Sequence, residues 1–190
     1  LRRLIHFAEF QAHQYFGAVS ETLLTSLRLF FQNGGTQALV LGMSDLTSPD
    51  GLDPLAEMDF NLLCIPAALG DPELPPQLHM KAYGLCVEKR AIYLVDPPRS
   101  WNSASDTPSA AIDGARGLFP GGENAALYFP RVNLAGGAAQ GFAPSAAIAG
   151  LIARTDRDRG VWKAPAGVDA ALAGVASLAF PLRTEERNAL

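Results

Sequence analysis

Nucleophilic catalysis needs a hydroxyl or thiol, a histidine to take its proton and an acid to orient the ring. Chain order supplies Asp45, His79 and Ser145, the last near the start of an expected helix, where backbone amides could serve a nucleophile. Ser145 stands in Ala-Pro-Ser-Ala-Ala and His79 in Leu-His-Met-Lys, with no glycine beside either to admit a substrate. Ser145 reads better as a helix-start residue. An α/β hydrolase-like enzyme using Ser145, His79 and Asp45 is the alternative, decided by whether Ser145 and His79 lie within hydrogen-bond reach.

Other constellations are weaker. His6, Glu9 and His13 could share one side of a helix and offer two imidazoles and a carboxylate to zinc, but the His-Glu-x-x-His arrangement is absent. The interleaved Phe7, Phe10 and Phe16 suggest a packed N-terminal element instead. Gly136-Gly137-Ala-Ala-Gln-Gly141 lacks both the lysine and the glycine spacing of a phosphate loop. Cys64 and Cys86 sit in apolar runs without metal-ligand spacing and read as reduced, buried thiols. No catalytic, cofactor or metal site is expected.

The elements that would position these residues follow from periodicity. Leu23, Leu24, Leu27, Phe30 and Phe31 repeat as one helix face after Ser20, and Asn33-Gly34-Gly35 ends the helix. Gln37 to Met43 reads as a strand, and Asp53-Pro54 as a cap and first-turn proline for one or two helical turns. Phe60 to Ile65 is a second strand. Pro75-Pro76 opens a helix with Leu78, Ala82, Leu85 and Cys86 on one face, closing at Lys89-Arg90. Ala91 to Val95 and Ala125 to Phe129 are further strands, with a short helix from Thr107 to about Gly117 between them. Residues 131–143 read as a Gly/Ala-rich internal loop, and Pro144 opens a small-residue helix to about Ala153.

Short apolar strands alternating with helices predict an α/β fold, a three-layer sandwich around a mainly parallel sheet, as a single domain over 1–190. The start at Leu1 and the helix-start pattern at Thr184 predict a fragment of a longer chain.

Composition narrows the function. The 190 residues carry a net charge of -4, with no Lys/Arg-rich block, which argues against nucleic-acid or anionic-membrane binding. No stretch reads as a transmembrane helix. Charged residues are only 18% of the chain, so part of the surface is expected to meet other protein. Residues 29 to 80 hold seven acids (Asp45, Asp50, Asp53, Glu57, Asp59, Asp71 and Glu73) and no Lys or Arg. That section reads either as a solvated edge or as one pole of a contact between copies, with Arg154, Arg157, Arg159 and Lys163 as the other. Trp162 reads equally as core or as a partner anchor.

One set of segments points further: Ala126-Leu-Tyr-Phe-Pro130-Arg131, Ala143-Pro-Ser-Ala-Ala-Ile-Ala-Gly150, Ala153-Arg-Thr-Asp156, Arg159-Gly-Val-Trp-Lys-Ala-Pro-Ala-Gly167 and Leu172-Ala-Gly174. Phe7-Ala-Glu-Phe10, Phe30-Phe-Gln-Asn-Gly-Gly35 and Asp59-Phe-Asn-Leu-Leu-Cys-Ile-Pro66 precede them. In this order the segments resemble the contractile tail sheath proteins of phages, pyocin-like particles and contractile injection systems. The resemblance implies an α/β domain of subtilisin-like topology without peptidase activity, in a structural protein of a virion tail or tail-like particle made in the bacterial host cytoplasm. It implies other sheath subunits, in helically stacked homo-oligomeric rings, and an inner tail tube protein as partners. It also implies contraction that drives the tube through a target envelope. Strand-exchanging terminal arms belong to the resemblance; the C-terminal region of the family lies beyond Leu190.

Overall fold

Ser20 is the N-cap of helix α1 (Glu21–Gln32), its hydroxyl accepting from the Leu23 amide at 3.3 Å. In this computed structural model the described residues are 2–6, 20–42, 48–67, 73–99, 101, 122–137 and 141–184. Leu27 and Phe31 of α1 pack with Ile5 and Val40, which belong to strands β1 (Arg2–His6) and β2 (Gln37–Leu41). These two strands pair antiparallel, His6 opposite Gln37 and Arg2 opposite Leu41. His6 therefore lies in a strand and not on a helix. The expected extension of β2 to Met43 and the expected helix at 107–117 fall outside the described residues.

A parallel sheet of three strands lies next to this pair. Strand β4 (Ile92–Val95) is central, flanked by β3 (Leu62–Cys64) and β5 (Ala125–Leu127). Side chains of adjacent strand residues point to opposite faces. Leu63, Ile65, Tyr93 and Val95 accordingly pack with Leu78, Ala82, Leu85 and Cys86 of helix α2 (Pro76–Lys89), the face expected from spacing. Leu52 and Leu55, from the 310 segment Pro49–Glu57, complete that core. Pro54 sits inside this segment and does not open a helix, and the segment begins at Pro49 instead.

Leu62, Cys64, Ile92, Leu94 and Ala126 face the other way, toward Ile148 and Ala149 of helix α3 (Ser145–Arg159). The first half of α3 is buried residue by residue from Ser145 to Leu151, and its small side chains let neighbours approach on all sides. The helix runs six residues past the expected end at Ala153, because Arg154–Arg159 contains no breaker before Gly160. Two antiparallel strands, β6 (Val132–Leu134) and β7 (Val175–Leu178), close the side of α3 together with Leu29 of α1. Among the described residues parallel pairing is thus confined to one three-stranded sheet. The architecture is mixed α/β, with antiparallel pairs on either side, and this corrects the expectation of a mainly parallel sheet.

The expected loop over 131–143 is likewise corrected at its described residues, 131–137 and 141–143. Val132 and Phe142 exchange amide hydrogen bonds of 3.0 and 2.7 Å, and Val132, Leu134, Phe142 and Ala143 are core. Pairing satisfies the backbone groups that burial removes from water.

Helices α1 and α3 cross at Gly150. A Cβ added there would overlap the Phe30 carbonyl oxygen and lie 2.9 Å from the Asn33 Cβ. Alanine is intrinsically the better helix residue by about 1 kcal/mol, yet overpacking typically costs ~1–3 kcal/mol. Gly150→Ala is expected to destabilise by about 2 kcal/mol in urea melts. A gain in stability would mean that the helices separate freely.

Candidate functional site

The carboxyl ends of parallel strands are where an α/β sheet usually places its chemistry. Here Asp96 follows β4 directly and meets the N-terminus of α3. Its carboxylate accepts from the Ser145 amide at 2.9 Å and from the Ser145 hydroxyl at 2.7 Å. Arg131 lies close by, with Nε donating to the Pro97 carbonyl at 3.0 Å and Nη1 to the Gly141 carbonyl at 3.4 Å. Burial pushes the Asp96 carboxyl up to about 6, against the opposing pull of the two Ser145 hydrogen bonds and the Arg131 charge. Cys64, at the end of β3, is also shifted upward, chiefly by burial and secondarily by Asp96, while a Ser145 hydrogen bond opposes the rise. Burial pushes the Cys86 thiol up to about 12. Both thiols are free, Cys86 buried as expected and Cys64 half-buried, and their raised pKa values make both poor nucleophiles at neutral pH.

This arrangement is a structural joint. Ser145 is 0% exposed, so no substrate reaches its hydroxyl, and that hydroxyl is already committed to a carboxylate. His79 is on the opposite face of the sheet, where its Nδ1 lies 2.8 Å from the Tyr93 hydroxyl and burial lowers its basicity. Asp45 lies outside the described residues. Chain order placed Ser145 and His79 in one triad, but the pleat of β4 separates them: Tyr93 belongs to the α2 core and Leu94 to the α3 core. The hydrolase alternative is not supported.

The other candidates sort similarly. His6 is in β1, Glu9 and His13 lie outside the described residues, and among the described residues no group of His, Cys, Asp or Glu is placed to hold a metal. The Gly141 amide, a possible phosphate donor by sequence, donates instead to Asn133 Oδ1 at 3.1 Å.

The proposed charge poles have partners within the chain. Lys81 reaches Asp53 at 2.6 Å, and Arg99 lies 3.6 Å from Glu73. Arg157 pairs with Asp158 at 2.8 Å and also donates to the Gly34 carbonyl at 2.9 Å, while Arg159 stands 3.8 Å from Asp169. Arg154 donates to the carbonyls of Asp169 and Ala171 at 3.1 and 3.3 Å. Much of the cationic section therefore braces the segment that follows α3. Asp50 is exposed, and Lys163 donates to the adjacent Ala164 carbonyl. Trp162 is 81% exposed, which removes the core reading.

Two residues with central roles were given no such role by sequence. Asp96 falls at the carboxyl end of an expected strand, where an open α/β sheet offers its default ligand site, and an acid directly after an apolar strand was the available signal. Asn33 appeared as a helix stop. It is in fact 0% exposed, and its side chain donates to the Leu29 and Ala173 carbonyls at 2.8 and 3.0 Å while accepting from the Ala173 amide at 2.8 Å.

No protein-family model matches the chain, and no curated protein matches it. Solved structures do. The helical sheath of the anti-feeding prophage (AFP) in its contracted state matches 99% of this chain and 50% of its own, with 26% identity and a TM-score of 0.63. The sheath complex of an extracellular contractile injection system, PVC, also contracted, matches 99% of this chain and 48% of its own, with 23% identity and a TM-score of 0.68. Over nearly its whole length the chain is similar to contractile sheath proteins. It spans about half the length of the solved sheath chains it matches.

The sheath-like segment from Pro144 to Gly167 is thereby given a structural meaning. Its first half is the buried part of α3, held by Asp96, and its second half is the exposed turn carrying Trp162. Among the described residues no helix is long and apolar enough to cross a membrane.

Proposed function

We propose that this domain is part of a structural subunit that polymerises with copies of itself around an inner tube and contracts to drive that tube through a target envelope. The observation that carries the reading is the match of 99% of the chain to a contracted helical sheath. The physical requirement is a rigid body that can repack against its neighbours in two ways. A parallel sheet with α2 on one face and α3 on the other, with the Asp96–Ser145 joint tying sheet to helix, suits such a body. It supports reading the centre of the domain as a three-layer sandwich of subtilisin-like topology. The role is mechanical and not enzymatic, and needs no cofactor. The particle is a virion tail or tail-like device whose subunits are made in the bacterial host cytoplasm.

The contacts between copies in this reading use Asp45, Asp50 and Asp53 on one side and Arg154, Arg157, Arg159 and Lys163 on the other. Since several of these residues have partners within the chain, an intersubunit contact exchanges one exposed pair for another, each worth about 1 kcal/mol or less. Low-cost exchange suits surfaces that re-pair during contraction. Electron microscopy of the full-length protein tests the reading: tubes of stacked rings, in long and shortened forms, are the expected result. A protein that stays dispersed under all assembly conditions would sink it.

A further inference from the structure

The turn that follows α3 carries residues its own geometry does not call for. The Lys163 amide donates to the Gly160 carbonyl at 3.0 Å, closing a four-residue turn with Val161 and Trp162 at its corners. Corner positions ordinarily hold Gly, Pro, Asn, Asp or Ser, which supply the backbone angles or satisfy the tip. Here the valine is 84% exposed and the tryptophan 81% exposed. Folding of the domain gains little from either. The indole lies over Gly160, whose φ is +94°: a Cβ added there would lie 2.7 Å from the indole Nε1. Tryptophan is among the residues that most often anchor an interface.

We propose that the Gly160–Lys163 turn of one copy docks on the Pro49–Glu57 segment of a second copy, with Trp162 packing on Pro49 and Pro54 and Lys163 pairing with Asp50 and Glu57. The contact rests on the sheath reading, which supplies the second copy. Charge and shape select this occupant. The Pro49–Glu57 segment turns Leu52 and Leu55 inward, leaves its two proline rings half-buried, and exposes Asp50, Asp53 and Glu57. No Lys or Arg occurs between residues 29 and 80 to neutralise those acids locally, and Lys81 already binds Asp53. Proline rings bordered by carboxylates complement an indole followed by an ammonium: aromatic faces dock on proline, and opposite charges fix the register. Lys163 brings the ammonium, which donates to the backbone carbonyl of Ala164.

The test uses the full-length protein carrying Trp162 as its sole tryptophan, Trp101 and any others replaced by Phe. On assembly, Trp162 emission is expected to move to shorter wavelength and its quenching by acrylamide to fall several-fold. Trp162→Ala should raise the protein concentration needed for assembly about tenfold or more. The unassembled Trp162→Ala protein should melt like the parent, because exposed side chains contribute little to stability. Lys163→Glu should also weaken assembly, and adding Asp50→Lys with Glu57→Lys should restore it. Tubes in which Trp162 stays as quenchable as in the free subunit, or which form at the parental concentration with Trp162→Ala, overturn this contact and leave the sheath reading standing. Failure of the parent protein to assemble at all overturns both.

Discussion

Between pH 4 and pH 7 the domain is expected to lose about 2 kcal/mol of stability that an Asp96→Asn variant keeps. The carboxyl of Asp96 is raised to about 6 in the folded protein, mainly by burial, while in an unfolded chain an aspartate titrates near ~3.9. At intermediate pH the folded state therefore binds more protons than the unfolded state, and stability falls as pH rises through that window. Each unit of displacement is worth about 1.4 kcal/mol, so roughly two units give nearly 3 kcal/mol over the full titration. About 2 kcal/mol of that falls between pH 4 and pH 7, because the unfolded aspartate is already about half ionised at pH 4. The sign is opposite to ordinary acid denaturation, in which hydrogen-bonded carboxylates with depressed pKa values are lost on acidification. Asparagine retains an oxygen to accept from the Ser145 amide, and its own amide can donate to the Ser145 hydroxyl, so the joint survives without its titration. Urea melts of both proteins at pH 4, 5, 6 and 7 measure the difference. Parallel stability curves would show that the carboxyl is better solvated than its position under α3 implies.

Replacing Asn33 by Leu is expected to cost about 3 kcal/mol, near 1 kcal/mol for each of three hydrogen bonds. The residue is fully buried and binds both Ala173 backbone groups, the donor and acceptor a neighbouring strand would otherwise engage. It therefore fixes the stretch leading into β7 to the end of α1, across 140 positions of sequence. Loss of the clamp should appear first as faster amide exchange around residues 173–178, ahead of global unfolding. Asn33→Asp sharpens the test. A carboxylate can still accept from the Ala173 amide, but only its protonated form can donate to a carbonyl. That variant should lose stability as pH rises through its raised pKa, and it should be worse at pH 7 than at pH 4. A cost below about 1 kcal/mol for Asn33→Leu, or unchanged exchange in β7, would assign the anchoring to Arg154 instead.

Local signals were sufficient for much of the framework. The cap at Ser20 and the stop at Asn33–Gly35 bound α1, and the apolar spacing of Leu78, Ala82, Leu85 and Cys86 identified the buried face of α2. Apolar runs ending at proline or beginning after a helix located β3, β4 and β5. The distinctive segment from Pro144 to Gly167 carried much of the resemblance to sheath proteins. These features were legible because capping, periodicity and chain punctuation act among neighbours in sequence. The antiparallel pairs were not, since β6 has three residues and β7 four, too short for alternation to register, and each strand is completed by a partner some forty positions away. Tertiary structure alone decided that Ser145 answers to Asp96 and not His79, because a strand's pleat sends successive side chains to opposite faces whatever their order in the chain. It also decided that Asn33 is a clamp and that Trp162 stands in solvent: burial is a property of what packs around a residue, and its own type does not specify those neighbours.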